Sequence, residues 1–250
     1  MIVLKTSREL AIMKQACMIS AGALQTVAKA VQPGVTTGEL DRLAEEYIRK
    51  QGAVPNFKNY QGYPATACIS INNEVIHGIP SDKRVLKNGD IVSVDLGAMF
   101  QGYHGDNAAT FAVGDISPEA KRLMDATKES LYEGIKAARA GGRIGDISNA
   151  VQSYVEARGF SVVRQFVGHG IGTNLHEEPE VPNFGKAGHG IRLMPGMTLA
   201  IEPMVNAGGH GVKVLPDGWT VLTADGSLSA HFEHTVLITT DGPQIMTVAP

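Results

Sequence analysis

The chain has 250 residues and a formal net charge of −3. Of its residues 43% are hydrophobic, which is enough for a sizeable core in one domain or two fused halves. It lacks the Lys/Arg clusters of a nucleic-acid or anionic-membrane surface, an apolar run of about 20 residues that could span a bilayer, and a signal peptide. Its two cysteines, Cys17 and Cys68, cannot form a disulfide framework, so a soluble cytoplasmic protein is predicted.

Two helical patterns open the sequence. The capping-box signature Thr-x-x-Glu occurs at residues 6–9 and again at residues 36–39. Apolar residues recur at helical spacing behind each signature, until Pro33 stops the first pattern and Gly52 the second. The spacing therefore predicts two helices before the first strand.

The remaining elements follow from apolar runs separated by glycine and proline. A long helix is predicted over residues 118–140, and a second helix, which follows the glycines at 141–142, ends at Gly159. The predicted strands are 67–71, 91–98, 107–113, 160–167, 197–206, 212–215, 219–223 and 234–239.

The second half of the chain repeats features of the first at a constant offset of 107 residues. The corresponding positions are Gly34 and Gly141, Gly38 and Gly145, Glu39 and Asp146, Leu40 and Ile147, Tyr47 and Tyr154, and Gly52 and Gly159. Chance is the alternative, because any two helix-turn-helix segments share glycines and a cap. The common register favours a duplication, with pseudo-repeat halves of about 1–113 and 114–250 within a single α+β domain.

Four acidic residues and one histidine interrupt apolar, strand-like runs. A carboxylate buried without a partner costs several kcal/mol, and the basic residues cluster on predicted helices and loops instead. Any one acid could be a salt-bridged strand residue, but four together favour shared cations. The five residues are Asp95, Asp106, His169, Glu202 and Glu233.

This donor set is rich in oxygen. It suits Mn²⁺, Fe²⁺, Co²⁺ or Zn²⁺ and has too many carboxylates for a structural zinc site. Carboxylates can bridge two ions about 3.5–4 Å apart, a spacing at which a shared water becomes a strong nucleophile. Because the ligands come from both halves, the sequence predicts a two-metal hydrolase centre at their junction.

In order and spacing, the five residues resemble the ligand set of the methionine aminopeptidases of the short, bacterial type I form. The motifs "NEVIHGIP", "VDLG", "HGD", "GHGIG", "HEEP", "IEPM" and "EHT" are similar to those of that family, and the resemblance covers nearly the whole chain. It implies the pita-bread fold of creatinase and aminopeptidases, in which pseudo-twofold duplicated halves pack helices on a curved antiparallel sheet. It also implies removal of the initiator methionine from nascent proteins when the second residue is small.

The resemblance implies a role for each ligand. Asp95 would chelate one metal ion, His169 and Glu202 would chelate the other, and Asp106 and Glu233 would bridge the pair. A metal-bound water would attack the scissile carbonyl, with Glu202 as the proton shuttle.

Two further histidines receive roles from the resemblance. His77 lies between apolar residues and a Gly-Ile-Pro turn, where a lone histidine alone would suit the core or the surface. The resemblance instead places His77 near the N-terminal residue of the substrate. It places His176 on the scissile amide, where it would steady the intermediate.

A methionine pocket is also implied, because aromatic rings and polarizable sulfur suit a thioether. Its residues would be Tyr60, Tyr63, Cys68 and Trp219, with Phe57 and Met204 beside them. The alternative is that the tyrosines anchor a Gly-Pro loop and the tryptophan fills a core.

Four other positions bear on the resemblance. Asn72 and Ser229 match a monovalent-cation site found in some relatives. Leu175 and Ile76 stand where some relatives carry phenylalanine and cysteine, so the shape of the pocket is expected to differ from theirs.

Two other functions compete with this interpretation. Xaa-Pro aminopeptidases and prolidases share the fold and ligands, but they usually carry an additional N-terminal domain, whereas this chain begins at the catalytic module. A non-catalytic binding module would have lost ligands, and all five are present. The resemblance implies a cytoplasmic monomer that acts on nascent polypeptides, with the ribosome as a candidate partner and neither a specific nucleic acid nor a membrane.

Overall fold

The computed structural model describes residues 2–249, which form four α-helices, one 3₁₀ turn at Tyr60–Gly62 and fifteen β-strands. The helices are α1 (Ser7–Ala30), α2 (Thr37–Lys50), α3 (Pro118–Ala137) and α4 (Ile144–Glu156). The strands are β1 (Val54–Pro55), β2 (Ala67–Ile71), β3 (Glu74–Ile76), β4 (Ile91–Phe100), β5 (Tyr103–Ala112), β6 (Ser161–Val162), β7 (Gly168–Gly170), β8 (Glu177–Val181), β9 (Thr198–Ile201), β10 (Met204–Asn206), β11 (Val212–Val214), β12 (Val221–Thr223), β13 (Ser229–His231), β14 (Glu233–Thr239) and β15 (Gly242–Ile245).

Both predicted capping boxes form. The Glu9 carboxylate accepts the backbone N–H of Thr6 at 2.7 Å, and Glu39 accepts that of Thr36 at the same distance. Each threonine hydroxyl in turn accepts the backbone N–H of its glutamate, so that unpaired donors at the helix start are satisfied. α1 and α2 therefore begin where the sequence signature places them. Between residues 2 and 249, no helix has the length and apolar character needed to cross a membrane.

A nine-stranded sheet forms the centre of the structure. Its strand order is β1-β4-β5-β14-β9-β7-β8, with β2 paired to β4 and β15 paired to β14, and these pairs are antiparallel. Two three-stranded sheets, β13-β10-β6 and β11-β12-β3, complete the strands. The predicted α+β architecture with an antiparallel sheet is thus present.

The helices pack in pairs on the central sheet. α1 and α2 share one hydrophobic cluster with β2 and β4, and Val94 and Leu96 are among its strand residues. α3 and α4 share a second cluster with β9 and β14, to which Leu199 and Val236 belong. Because side chains alternate across a strand, the residues between these apolar positions face away from the helices.

Two of the predicted strands are interrupted in the structure. The run 197–206 divides into β9 and β10 at Glu202 and Pro203, since proline has no N–H for a ladder hydrogen bond. The run 160–167 keeps only the two residues of β6. Apolar alternation predicts neither β1 nor β8, because the first is too short to show a period and the second is the polar segment EEPEV.

Candidate functional site

Five strands that lie side by side in the central sheet each position one of the predicted ligands. In β4, Val94 and Leu96 pack with the helices, so Asp95 between them projects from the opposite face. The same alternation applies in β14, where Val236 packs with α3 and α4. In the order of the strands β4, β5, β14, β9 and β7, the ligands are Asp95, Asp106, Glu233, Glu202 (directly after β9) and His169.

The five side chains converge on one cavity of about 210 Å³. Ligand atoms of Asp106, His169 and Glu233 all lie within 4.8 Å of one another. His169 Nε2 is 3.5 Å from an oxygen of Glu202, and Asp95 lines the same cavity. Asp106 and Glu233 are almost completely buried, with 3% and 2% exposure.

The four acidic side chains have no basic side chain nearby to balance a negative charge. Among residues 2–249, neither lysine nor arginine forms an ion pair with any of the four acids, whose only such neighbours are His169 and His231 beside Glu202. Burial raises the pKa of Asp106 to about 7, and burial together with nearby carboxylates raises the pKa of Asp95, Glu202 and Glu233. Asp95, Asp106 and Glu233 each have one carboxyl oxygen without a hydrogen-bond partner among residues 2–249.

His169 is held with one ring nitrogen directed at the acids. Its Nδ1 lies 2.8 Å from the carbonyl oxygen of Gly170, to which it donates, so Nε2 presents its lone pair toward Glu202. Burial lowers the pKa of His169 to about 3 and keeps the ring neutral. The flanking glycines permit this position, because a Cβ at Gly168 would lie 2.3 Å from the carbonyl oxygen of Ala200.

This donor set fits divalent metal ions. Unpartnered carboxylate oxygens and a neutral imidazole nitrogen face one another in a buried space without a basic group. A bound cation would offset the repulsion among the carboxylates, which otherwise opposes folding. The residues present therefore match the chemistry predicted for a metal centre.

The predicted substrate residues line the same cavity as the acids. The His77 ring has its centroid 6.2 Å from that of Trp219, and the Tyr63 and Trp219 centroids are 5.1 Å apart. The Tyr60 hydroxyl is 2.8 Å from Nδ1 of His176. The predicted residues on the cavity wall are His77, His176, Tyr60, Tyr63, Cys68, Trp219 and Phe57.

The observed contacts of Tyr63 and Met204 qualify the predictions made for these two pocket residues. The Tyr63 hydroxyl donates to the backbone oxygens of Ala67 and Gly78, each at 3.0 Å, so it anchors the loop while its ring lines the cavity. Met204 was expected beside the pocket; it does not line the cavity itself but packs in a cluster with Ile76 and Phe166, which do. Met204 therefore lies behind the cavity wall, on strand β10, which pairs with β6 and β13 outside the central sheet.

The sequence analysis did not identify three residues of the cavity wall. Phe166 lies edge-on to His77 with ring centroids 5.9 Å apart, and Val167 and Gln61 also line the cavity. Phe166 and Val167 directly precede the Gly-His-Gly segment of β7, and this proximity to a predicted ligand was the available signal.

Asn72 and Ser229 lie next to each other, away from the cavity wall. The backbone N–H of Ser229 donates to the carbonyl oxygen of Asn72 at 2.8 Å. The Asn72 side chain bonds Asp90 and the backbone of Ile91, while the Ser229 hydroxyl donates to the side chain of Asn206 at 2.9 Å. Their oxygens are therefore grouped but already hydrogen-bonded within the protein.

Comparison with known proteins agrees with this geometry. Residues 11–240 match the model of metallopeptidase family M24. The methionine aminopeptidase of Clostridium perfringens (strain 13 / Type A) is 56% identical over 248 residues, which cover 99% of both chains.

Solved structures extend the comparison to the fold. The methionine aminopeptidase of Thermotoga maritima superposes with a TM-score of 0.98 at 48% identity, over 99% of each chain. A prolidase from Pyrococcus furiosus reaches a TM-score of 0.80 at 24% identity, over 99% of this chain and 66% of that one, and it shows the fold alone. The predicted pita-bread fold is thereby confirmed.

Proposed function

Because the chain belongs to metallopeptidase family M24 and, within it, to the methionine aminopeptidases, we propose which of its residues perform the metal-dependent removal of N-terminal methionine. The observation that carries the proposal is the group of four unbalanced carboxylates and one neutral imidazole in a cavity lined by aromatic side chains. The proposed substrates are nascent polypeptides whose second residue is small.

Five residues would hold two divalent ions, drawn from Mn²⁺, Fe²⁺, Co²⁺ and Zn²⁺. Asp95 would bind one ion, His169 and Glu202 the other, and Asp106 and Glu233 would bridge them. Burial of Asp106 and Glu233 among the other acids supports the bridging role, since a bridging carboxylate is shared between two charges. When bound, the ions would supply Lewis acidity, which makes a water molecule more acidic and polarises the scissile carbonyl.

The protein side chains would move the proton and hold the reacting group. Glu202 would take a proton from the attacking water and pass it to the leaving amine. The Tyr60 hydroxyl lies 2.8 Å from Nδ1 of His176; with Tyr60 as the donor, His176 would carry its proton on Nε2 and donate it to the scissile amide group. Burial lowers the pKa of His77 to about 4, so this ring is neutral when it contacts the substrate.

Aromatic and sulfur groups would bind the methionine side chain. Tyr60, Tyr63, Cys68 and Trp219 lie around the cavity that holds the acids, so a thioether bound there would place its scissile bond beside them. The cavity of about 210 Å³ is of a size for one side chain, which supports recognition of a single terminal residue.

The proposal also covers the cellular location, oligomeric state, partner and monovalent cation of the enzyme. We propose that it acts as a cytoplasmic monomer with the ribosome as a candidate partner, and that a monovalent cation binds near Asn72 and Ser229. The oxygens of Asn72 and Ser229, grouped although each has a hydrogen-bond partner, support that position for the cation.

A peptide panel tests the proposed function. Chelated enzyme restored with Mn²⁺, Fe²⁺, Co²⁺ or Zn²⁺ is expected to release methionine from Met-Ala-x, and to act poorly on Met-Lys-x, Leu-Ala-x and Ala-Pro-x. Chromatography of the released amino acid is the measurement. Cleavage of Ala-Pro-x in place of Met-Ala-x would assign an Xaa-Pro specificity, and inactivity with every metal would contradict catalysis by this site.

Replacing His176 by alanine is expected to lower kcat for Met-Ala-x by about 10²–10³-fold, because a hydrogen-bond donor to the developing charge is lost. Steady-state kinetics with a fixed, saturating metal concentration provides the measurement. The exposed His210, changed to alanine, is the matched control and should retain wild-type rates. Equal activity of both variants would show that His176 does not touch the reacting amide.

A further inference from the structure

Lys5 is a buried lysine outside the cavity. Its side chain is only 3% exposed, although lysine is rarely buried without a partner. Its Nζ lies 2.7 Å from Oε2 of Glu177, whose side chain is 8% exposed, and it also donates to the carbonyl oxygen of Val3 at 3.3 Å. The ion pair therefore joins the segment before α1 to the start of β8, 172 residues later in the chain.

The second oxygen of Glu177 closes a turn. Oε1 accepts the backbone N–H of Asn174 at 3.1 Å and the hydroxyl of Thr173 at 3.4 Å. The ammonium of Lys5 is packed against the same turn, since a Cβ at Gly172 would lie 2.5 Å from Cε of Lys5. Residues 172–177, here called the His176 turn, are thus fixed through both oxygens of one carboxylate.

His176 depends on this turn for its position. The residue is exposed and lies outside helices and strands, and its side chain has one hydrogen-bond contact, with Tyr60. Its ring centroid is nevertheless only 4.3 Å from that of His169 in the cavity. A small rotation of the backbone of the His176 turn would move the imidazole away from the reacting group.

We propose that Lys5 is a positioning residue for catalysis: by pairing with Glu177 it holds the His176 turn so that His176 meets the scissile amide. This inference rests on the role of His176 in the proposed function. It assigns a part in the reaction to the segment that precedes α1, whose Lys5 contacts the His176 turn through this ion pair and by packing against Gly172.

A double-mutant cycle tests the proposal. Lys5→Met is expected to lower kcat for Met-Ala-x by on the order of 10-fold to 100-fold, as misplacement of a reacting group does, with KM changed less than about twofold. In the His176→Ala background, Lys5→Met is expected to have no further effect on kcat, since both act through one imidazole. An equal loss in both backgrounds would overturn the proposal, because Lys5 would then act elsewhere.

Rescue separates positioning from folding. Lys5→Met leaves Glu177 buried without a cation, whereas the double variant Lys5→Met/Glu177→Gln is neutral and keeps an oxygen for Asn174. Lys5→Arg and the neutral double variant are both expected to recover most of kcat. Lys121→Met, which removes an exposed ion pair with Asp125, is the matched control and should keep the wild-type kcat. Failure of both rescuing variants, while they remain folded, would contradict the proposal.

A spectroscopic readout is independent of activity. In protein labelled with ¹⁵N-histidine, Lys5→Met is expected to shift the ring resonances of His176, assigned from His176→Ala, and to leave those of His210 in place. Unshifted His176 resonances would overturn the inference even if kcat fell. If the wild-type enzyme released no methionine, the proposed function would fail, but this spectrum would still show whether Lys5 positions His176.

Discussion

Replacement of Glu202 by glutamine is expected to lower kcat for Met-Ala-x by about 10²–10⁴-fold, the usual contribution of a positioned acid or base. Glutamine has nearly the same shape but cannot accept the proton from water. In the structure, Oε1 of Glu202 lies 3.5 Å from His169 Nε2, and Oε2 lies 3.8 Å from His231 Nε2. Steady-state kinetics at saturating metal measures the effect.

Metal content must be measured on the same samples, because the glutamine also weakens a ligand. Elemental analysis of Glu202→Gln at saturating metal separates loss of ion from loss of the base. Glu180→Gln in β8, an exposed position, is the matched control and should keep the wild-type kcat. A fully metal-loaded Glu202→Gln enzyme with more than about a tenth of the wild-type kcat would exclude Glu202 as the proton shuttle.

The metal-free protein is expected to be more stable with asparagine in place of Asp106 than with the natural aspartate. Asp106 is buried beside other carboxylates, and burial raises its pKa to about 7 from an unfolded value of about 3.9. Between those two pH values the folded protein binds more protons than the unfolded chain, so its stability falls as pH rises. Asparagine cannot ionise and avoids this loss.

The sign of the pH dependence makes the test specific. The difference in melting temperature between Asp106→Asn and wild type, both in excess chelator, should grow as pH rises from about 4 to about 7 and then level off. Each kcal/mol gained corresponds to roughly 2–4 °C for a chain of this size. Buried histidines such as His169 and His231, whose pKa values are lowered to about 3, oppose this slope in each protein but largely cancel in the difference.

Added metal should make wild type more stable than Asp106→Asn. An ion that binds only the folded state stabilises it by about 2.7 kcal/mol at a free concentration 100 times its dissociation constant. Wild type has the complete ligand set, so Mn²⁺ should raise its melting temperature more than that of Asp106→Asn. If wild type were more stable than Asp106→Asn without metal at pH 7, the buried carboxylates would not destabilise the metal-free protein as their burial indicates.

The candidate metal ligands and the helix starts could be recognised in the sequence because their signals are local. A carboxylate in the middle of an apolar run, such as Asp95 in "VSVDLGA", is conspicuous without knowledge of its neighbours. The capping boxes at Thr6 and Thr36 are complete within four residues, and both form as predicted. The division into two duplicated halves at about residue 113 stays a prediction, as do the individual roles of the site residues.

The positions of the same residues relative to one another depend on strand register, which is set by contacts far apart in the chain. Asp95 and Glu233 both pair opposite Ala108, on its two neighbouring strands, and only the order β4-β5-β14 brings them together. The alternation of β4 predicts that Asp95 leaves the apolar face, but not which strand lies beside it.

The contacts of individual side chains could not be predicted from the sequence either. The Tyr63 ring lines the cavity while its hydroxyl donates to backbone oxygens, so the anchoring contact is present and the methionine-binding role stays a prediction. Lys5 in "MIVLKTSREL" looks like an ordinary surface lysine, yet it is buried against Glu177, 172 residues away. Residue chemistry and local periodicity thus indicate the candidate metal ligands and the helices, and the catalytic roles were implied only by the family resemblance. The long-range pairing of strands and ions sets the geometry of the site, because residues far apart in the chain give no local signal of their contact.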